Sequence, residues 1–130
     1  MKQQHKKLLT AIQATIEYDD AHAKALPKTG TPYAYLCGRL FAYGRVAESL
    51  VQYREYQRLA NLCQERIEIG MLLTVGGWLD DTHQRFPLQY RAYNRAEYVA
   101  YSEILAMLKE YVGVEPTNTG AHVGWGGTAA

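Results

Sequence analysis

Helix breakers are scarce in this sequence. Its 130 residues include four Pro and eleven Gly, and five of the Gly follow position 112. A disordered, collagen-like or turn-rich all-β chain carries far more of both, so positions 1 to 112 read as helical. Cysteine is equally sparse. Cys37 and Cys63 are the only two, which excludes an all-cysteine zinc site, and both fall in apolar helical patterns where a thiol behaves as a small hydrophobe. Charge of one sign is missing as well. Fourteen Lys and Arg stand against thirteen Asp and Glu, a net charge of +1, without the basic excess that phosphate-backbone binding needs. Long apolar runs are absent, both the 18 or so residues that span a bilayer and the uninterrupted core of a signal peptide, so a cytoplasmic protein is expected. Ser49 and Ser102 are the only serines and lie in helical stretches. No dinucleotide fingerprint, phosphate loop, nucleophile elbow or His-Glu-x-x-His occurs.

What is present is helical periodicity. Leu8, Leu9, Ile12, Ile16, Ala23 and Leu26 recur every three or four residues and predict a first helix over about 3 to 25, stopped by Pro27. Thr31 as cap and Pro32 in the first turn open a second, through Leu36, Leu40, Tyr43, Ala47, Leu50 and Tyr53. No Gly or Pro punctuates 45 to 69, so this run either continues as one long helix or kinks near Tyr53 to Arg58. Leu59, Cys63, Ile67 and Met71 carry a third helix, near 60 to 84. Pro87 opens a fourth, whose buried side runs from Leu88 to Val112 before Gly113 supplies a left-handed cap. Positions 1–113 thus make one helical domain. Positions 114–130, rich in Gly and Thr, make an extended or flexible tail in which Val123 and Trp125 are the candidate anchors.

Asp19-Asp20-Ala21-His22 returns as Asp80-Asp81-Thr82-His83, and the two copies use every aspartate in the chain. Downstream, Ala34, Tyr35, Ala42, Tyr43, Leu50 and Tyr53 align with Ala92, Tyr93, Ala100, Tyr101, Leu108 and Tyr111. Upstream, Leu8 and Ile12 fall opposite Ile69 and Leu73. The fold expected is all-α: a four-helix bundle built from two αα-hairpins, an internal duplication with a pseudo-two-fold axis, plus the Gly-rich tail.

Two function classes compete. The Asp19/His22 and Asp80/His83 pairs have i, i+3 spacing, which puts a carboxylate and an imidazole on one helical face. With Glu48, Glu97 or Glu103 they form a candidate site for a divalent metal ion that would activate water or bind phosphate. A paired Asp that caps a helix end, with a histidine facing the macrodipole, accounts for the same residues without a metal. Glu65-x-x-Glu68 followed by Asp80-Asp81 resembles the acidic pattern of the all-α nucleoside triphosphate pyrophosphohydrolases, whose paired acids hold magnesium. The departure is at Gly77 and Trp78, where that family's second motif has glutamate.

The leading expectation is non-catalytic and needs no cofactor. Tyr and Arg interleave over 53–58 and 90–95, a mixture that suits a protein interface. Trp78, Arg85, Tyr90, Arg91 and Arg95 concentrate aromatic and arginine anchors near the turn between helices three and four. They suggest binding to a protein partner or a second copy of the chain, in the manner of small phage or mobile-element accessory proteins such as defence-system inhibitors, an analogy of composition alone. The remaining tyrosines are expected at the core boundary with their hydroxyls at water.

Overall fold

The computed structural model describes residues 2–75 and 88–117. They form α1 (Lys2–Lys24), α2 (Thr31–Gln52), α3 (Tyr56–Val75) and α4 (Leu88–Val112), with no strand among the described residues. The all-α four-helix bundle expected from periodicity is the fold found. The proposed anchors Val123 and Trp125, and residues 118–130 of the tail, lie outside the described residues.

Helix ends follow from local chemistry. The last turn of α1 tightens, with Ala25 N–H donating to the His22 carbonyl and Leu26 N–H to that of Ala23, both at 3.1 Å, before Pro27 removes the next donor. Gly30, and not Thr31, is the N-cap of α2. Gly30 has extended backbone and its carbonyl accepts the Ala34 N–H, so Thr31 and Pro32 both fall inside the first turn, where a missing N–H costs nothing. Gly113, at φ +67°, ends α4 in the left-handed conformation expected of it, and its N–H donates to the Lys109 carbonyl.

The run without Gly or Pro breaks after all. α2 stops at Gln52, Tyr53 is extended, and α3 begins at Tyr56, four residues before the start read from the sequence. The cause is a phase slip in the apolar stripe. A stripe continuing through Leu50 and Tyr53 would next reach Gln57, which is polar and exposed, whereas Tyr56, Leu59 and Ala60 are buried. The helix must turn to bury them. The Glu55 carbonyl then accepts the Leu59 N–H and starts α3 without a side-chain cap.

Helix α4 is the hub, packing against α1, α2 and α3, and its seam with α2 is the most extensive contact. α1 lies on α2 and α4. α3 lies on α4 and does not pack along α2, although only three residues separate them. Two glycines set the close approaches. A Cβ at Gly38 would collide with the Tyr93 carbonyl oxygen and sit 3.0 Å from the Ala96 Cβ, so the α2 and α4 backbones meet there almost without side chains. A Cβ at Gly70 would lie 2.6 Å from the Tyr98 Cβ, which fixes α3 on α4.

The buried faces of α2 and α4 correspond residue by residue at a shift of 58 positions, as from Tyr43 to Tyr101. Gly38, Ala42, Tyr43, Val46 and Leu50 are buried on α2; Ala96, Ala100, Tyr101, Ile104 and Leu108 are buried on α4. Gly38 meets Ala96, its counterpart at this shift. The flanking helices do not follow this correspondence. Leu8 and Ile12 are fully buried, while Ile69 and Leu73, aligned with them in sequence, are half-buried.

The amino-terminal turn of α1 is tied across the core to α3 by a 2.6 Å hydrogen bond between His5 Nδ1 and the Tyr56 hydroxyl. Burial, with a smaller contribution from Arg54, lowers the His5 pKa, so the fold favours the neutral imidazole. The unfolded chain binds the proton more readily, so this contribution to stability is present above the ordinary histidine pKa and is lost as pH falls through the lowered folded value. Unfolding midpoints measured from pH 7.5 to 5 should therefore fall less steeply for His5→Phe than for the parent protein. The glycine contacts yield a paired expectation in urea unfolding. Gly38→Ala should cost roughly 1–3 kcal/mol through overpacking, whereas Gly44→Ala, whose Cβ would meet nothing within 4 Å, should gain up to about 1 kcal/mol from helix propensity.

Candidate functional site

The α2/α4 seam carries charge on both flanks, and the two flanks differ. On the α1 side the Arg39 Nε donates to Asp19 Oδ2 at 2.7 Å, and Arg39 Nη1 donates to both Glu103 oxygens at 2.9 and 3.0 Å. The Tyr43 hydroxyl donates to Glu103 Oε1 at 2.7 Å, and the guanidinium lies 5.4 Å from the Tyr43 ring centre. Burial works against the Arg39 charge, but Asp19 and Glu103 outweigh it and hold the guanidinium protonated; burial first, then Glu103, pushes the Tyr43 hydroxyl up. Asp19 is only 5% exposed, so deleting its partner Arg39 would strand a buried carboxylate, a loss of roughly 3–5 kcal/mol. This flank is closed.

On the α3 side the same shift of 58 exchanges the charges. Arg39 corresponds to Glu97 and Arg45 to Glu103, so the Arg39–Glu103 pair has its counterpart in Arg45 and Glu97. Glu97 feels Arg66 of α3 and Arg45 of α2, yet burial is the larger effect and raises its pKa above the usual carboxylate range. Tyr101, the counterpart of Tyr43, cannot repeat the bond to a glutamate, because an arginine occupies the corresponding position on α2. Its hydroxyl is buried with no hydrogen-bond partner, and burial pushes its pKa up to about 12. Arg66 Nε is likewise buried without a partner. An unpaired buried donor costs on the order of 1–3 kcal/mol, so this flank is left incomplete at a real cost.

The incomplete flank opens onto a cleft. Because α2 and α3 diverge from the break at Tyr53, a space of about 1030 Å³ lies between them, walled by Arg45, Ser49 and Gln52 on one side and Leu59, Leu62 and Glu65 on the other, with Tyr101 among its lining. The segment after α4 forms part of the rim. Val114 packs against the core, Gln57 Nε2 donates to the Glu115 carbonyl at 2.7 Å, and the Thr117 N–H donates to Asn61 Oδ1 at 2.9 Å. Arg58 at the mouth is already paired with Glu55 at 3.2 Å.

Of the residues singled out from sequence, Glu48, Tyr53, Arg58 and Glu65 line the cleft and the rest fall elsewhere. Asp19 is engaged by Arg39, and His22 is exposed, with its ring edge-on to Tyr18 at 5.4 Å. Asp80 and His83 lie outside the described residues, as do Trp78 and Arg85. Tyr90 and Arg95 are exposed and Arg91 is half-buried, all in the first turns of α4, near the α1–α2 loop and at the far end of the bundle from the cleft. Glu65 lines the cleft and Glu68 accepts a bond from Gln64 at 3.0 Å. Among the described residues, no three His, Cys, Asp or Glu side chains gather as a metal site would need. Tyrosine hydroxyls are not all at water: Tyr43 and Tyr101 are the largest fully buried side chains. Sequence reading passed over Arg39, Arg45 and Arg66, and took Tyr101 only as the match of Tyr43. For Arg39 and Arg45 the signal was there, as opposite charges at the positions of α2 and α4 that align at this shift.

No family model matches the chain, and no curated protein or solved structure matches it. No described helix is long and apolar enough to cross a membrane.

The two tyrosines should respond oppositely to removal of the hydroxyl. Tyr43→Phe deletes a bond to a carboxylate that is 41% exposed, so thermal unfolding should show a loss of about 1 kcal/mol after allowance for solvent screening. Tyr101→Phe removes an unpaired buried group and should be neutral or stabilising by up to about 1 kcal/mol.

Proposed function

We propose that this chain is a non-catalytic binding protein that receives a segment of a protein partner in the cleft between α2 and α3. The observation that carries this reading is the buried, unpartnered Tyr101 hydroxyl in the lining of an open cleft. The walls suit a polypeptide. Ser49, Gln52, Asn61 and Gln64 offer hydroxyl and amide groups to a main chain, and Leu59 and Leu62 offer apolar contact. Tyr53 stands at the mouth, 58% exposed, as an aromatic anchor.

A second surface of the same class is supported by the 44% exposure of Tyr90 in the first turn of α4, with Arg95 also exposed further along the helix. It is the described part of the Tyr/Arg face drawn from the sequence. The metal-dependent alternative is disfavoured by the commitment of the Asp19 carboxylate to Arg39, since a ligand already held by a guanidinium must give up that bond to bind a cation.

The two surfaces are separated by photo-cross-linking in cells that express the chain, with p-benzoylphenylalanine in place of Tyr53, Tyr90 or, as a control on α1, Gln13. A discrete adduct from the Tyr53 position alone, competed away by unlabelled protein, is expected. An adduct from the Tyr90 position alone would move the site to the Tyr/Arg face, and equal labelling from all three would overturn specific binding.

A further inference from the structure

The cleft between α2 and α3 has a charge of its own, opposite in sign to that of the chain. Its lining carries three carboxylates, Glu48, Glu55 and Glu65, against two guanidiniums, Arg45 and Arg58. Glu55 and Arg58 neutralise one another at 3.2 Å. The Arg45 guanidinium lies 5.6 Å from the Phe41 ring centre, one turn back along α2, and its charge acts on Glu97 of α4. What is left is Glu48 on the α2 wall and Glu65 on the α3 wall. Both are exposed, and among the described residues neither has a hydrogen bond or an ion pair.

We propose that the segment received in this cleft is basic, a stretch of polypeptide whose lysine or arginine side chains pair with Glu48 and Glu65 while their aliphatic stems lie on Leu59 and Leu62. The inference rests on the cleft being the binding site, and gives that site its charge preference. Each carboxylate acts from its own wall, so no one side chain of the partner has to reach both. An observation of a different kind agrees that the space takes a polar ligand: Tyr101, 0% exposed and with an unpartnered hydroxyl, belongs to the same lining.

Electrostatics favours this occupant over the others a cleft of mixed polarity could hold. Low-dielectric walls focus the field between them, so two carboxylates in a cleft act on a ligand more strongly than the same two on a convex surface. An anionic occupant, such as a phosphorylated peptide or a nucleic-acid backbone, meets them as repulsion. The chain as a whole carries +1, so a basic ligand gains nothing from the net charge of the protein, and a preference for it has to arise where the carboxylates are.

The test is a titration of the ¹⁵N-labelled full chain with three blocked peptides, acetyl-Leu-Lys-Leu-Lys-Leu-amide and its counterparts with glutamine or glutamate in place of both lysines. Amide shifts of Ser49 and Leu62 report on the two walls, and those of Gln13 on α1 serve as control. The lysine peptide should give saturable shifts at the walls and not at Gln13, bind several-fold more tightly than the glutamine peptide, and lose that advantage as salt is raised from low ionic strength to about 0.5 M. The glutamate peptide should bind most weakly. Glu48→Gln and Glu65→Gln, at exposed positions where folding is not at risk, should each weaken the lysine peptide about threefold, as loss of one screened ion pair does, and together should abolish its advantage over glutamine. Equal binding of the three peptides, a preference for glutamate, shifts spread over the surface, or a lysine preference that survives the double substitution would each overturn the proposal. Cross-linking from Tyr53 without a lysine preference would leave the binding reading standing and the basic segment refuted. A lysine preference at the walls without cross-linking would uphold the charge preference of the cleft and overturn its use by a partner in those cells.

Discussion

The bare crossing of α2 and α4 is the constraint on which the structure depends. Gly38 has no side chain to hold the helices apart, so Ala96 and the Tyr93 carbonyl come directly against it. Close approach brings Tyr43 and Tyr101 wholly into the core and leaves no room beside the crossing for long side chains. The long polar ones, Arg39, Arg45, Glu97 and Glu103, must lie along its two flanks, where burial makes their pairing matter. Each remaining helix is then attached to a seam already formed: α1 closes one flank with Asp19, and α3 covers part of the other with Arg66.

From the closed flank to the open one the difference is a matter of which residue the third helix brings. α1 delivers an acid, which completes a network of two carboxylates around one guanidinium. α3 delivers a base, and its divergence from α2 at Tyr53 exposes the result to a cleft. Complete polar networks rigidify a core; incomplete ones are the places where a structure departs from its own stability optimum, and such departures concentrate at sites of recognition.

Much of the fold was legible in the sequence, because helices announce themselves by periodicity and by their stops. Pro27 and Gly113 mark real ends, and the apolar stripe of α1 is the buried one. The break at Tyr53 to Glu55 has no Gly or Pro to mark it; its trace is the polar Gln57 where the stripe should have continued, a weaker signal than a breaker. The site was less legible. Asp19 drew notice for its spacing to His22, but its actual partner, Arg39, is 20 residues away on another helix and follows no local motif. The alignment of α2 with α4 held more than its identities showed. Matching Tyr43 with Tyr101 was correct for burial, while the informative positions were those where the aligned residues reverse charge, Arg39 with Glu97 and Arg45 with Glu103, which a count of identical residues scores as mismatches.

Asn61 Oδ1 accepts from both the N–H and the hydroxyl of Thr117, so one amide on α3 sets where the segment after α4 crosses the rim of the cleft. The shape of the mouth is therefore fixed by a residue of the wall itself, and a change at Asn61 alters wall and rim together.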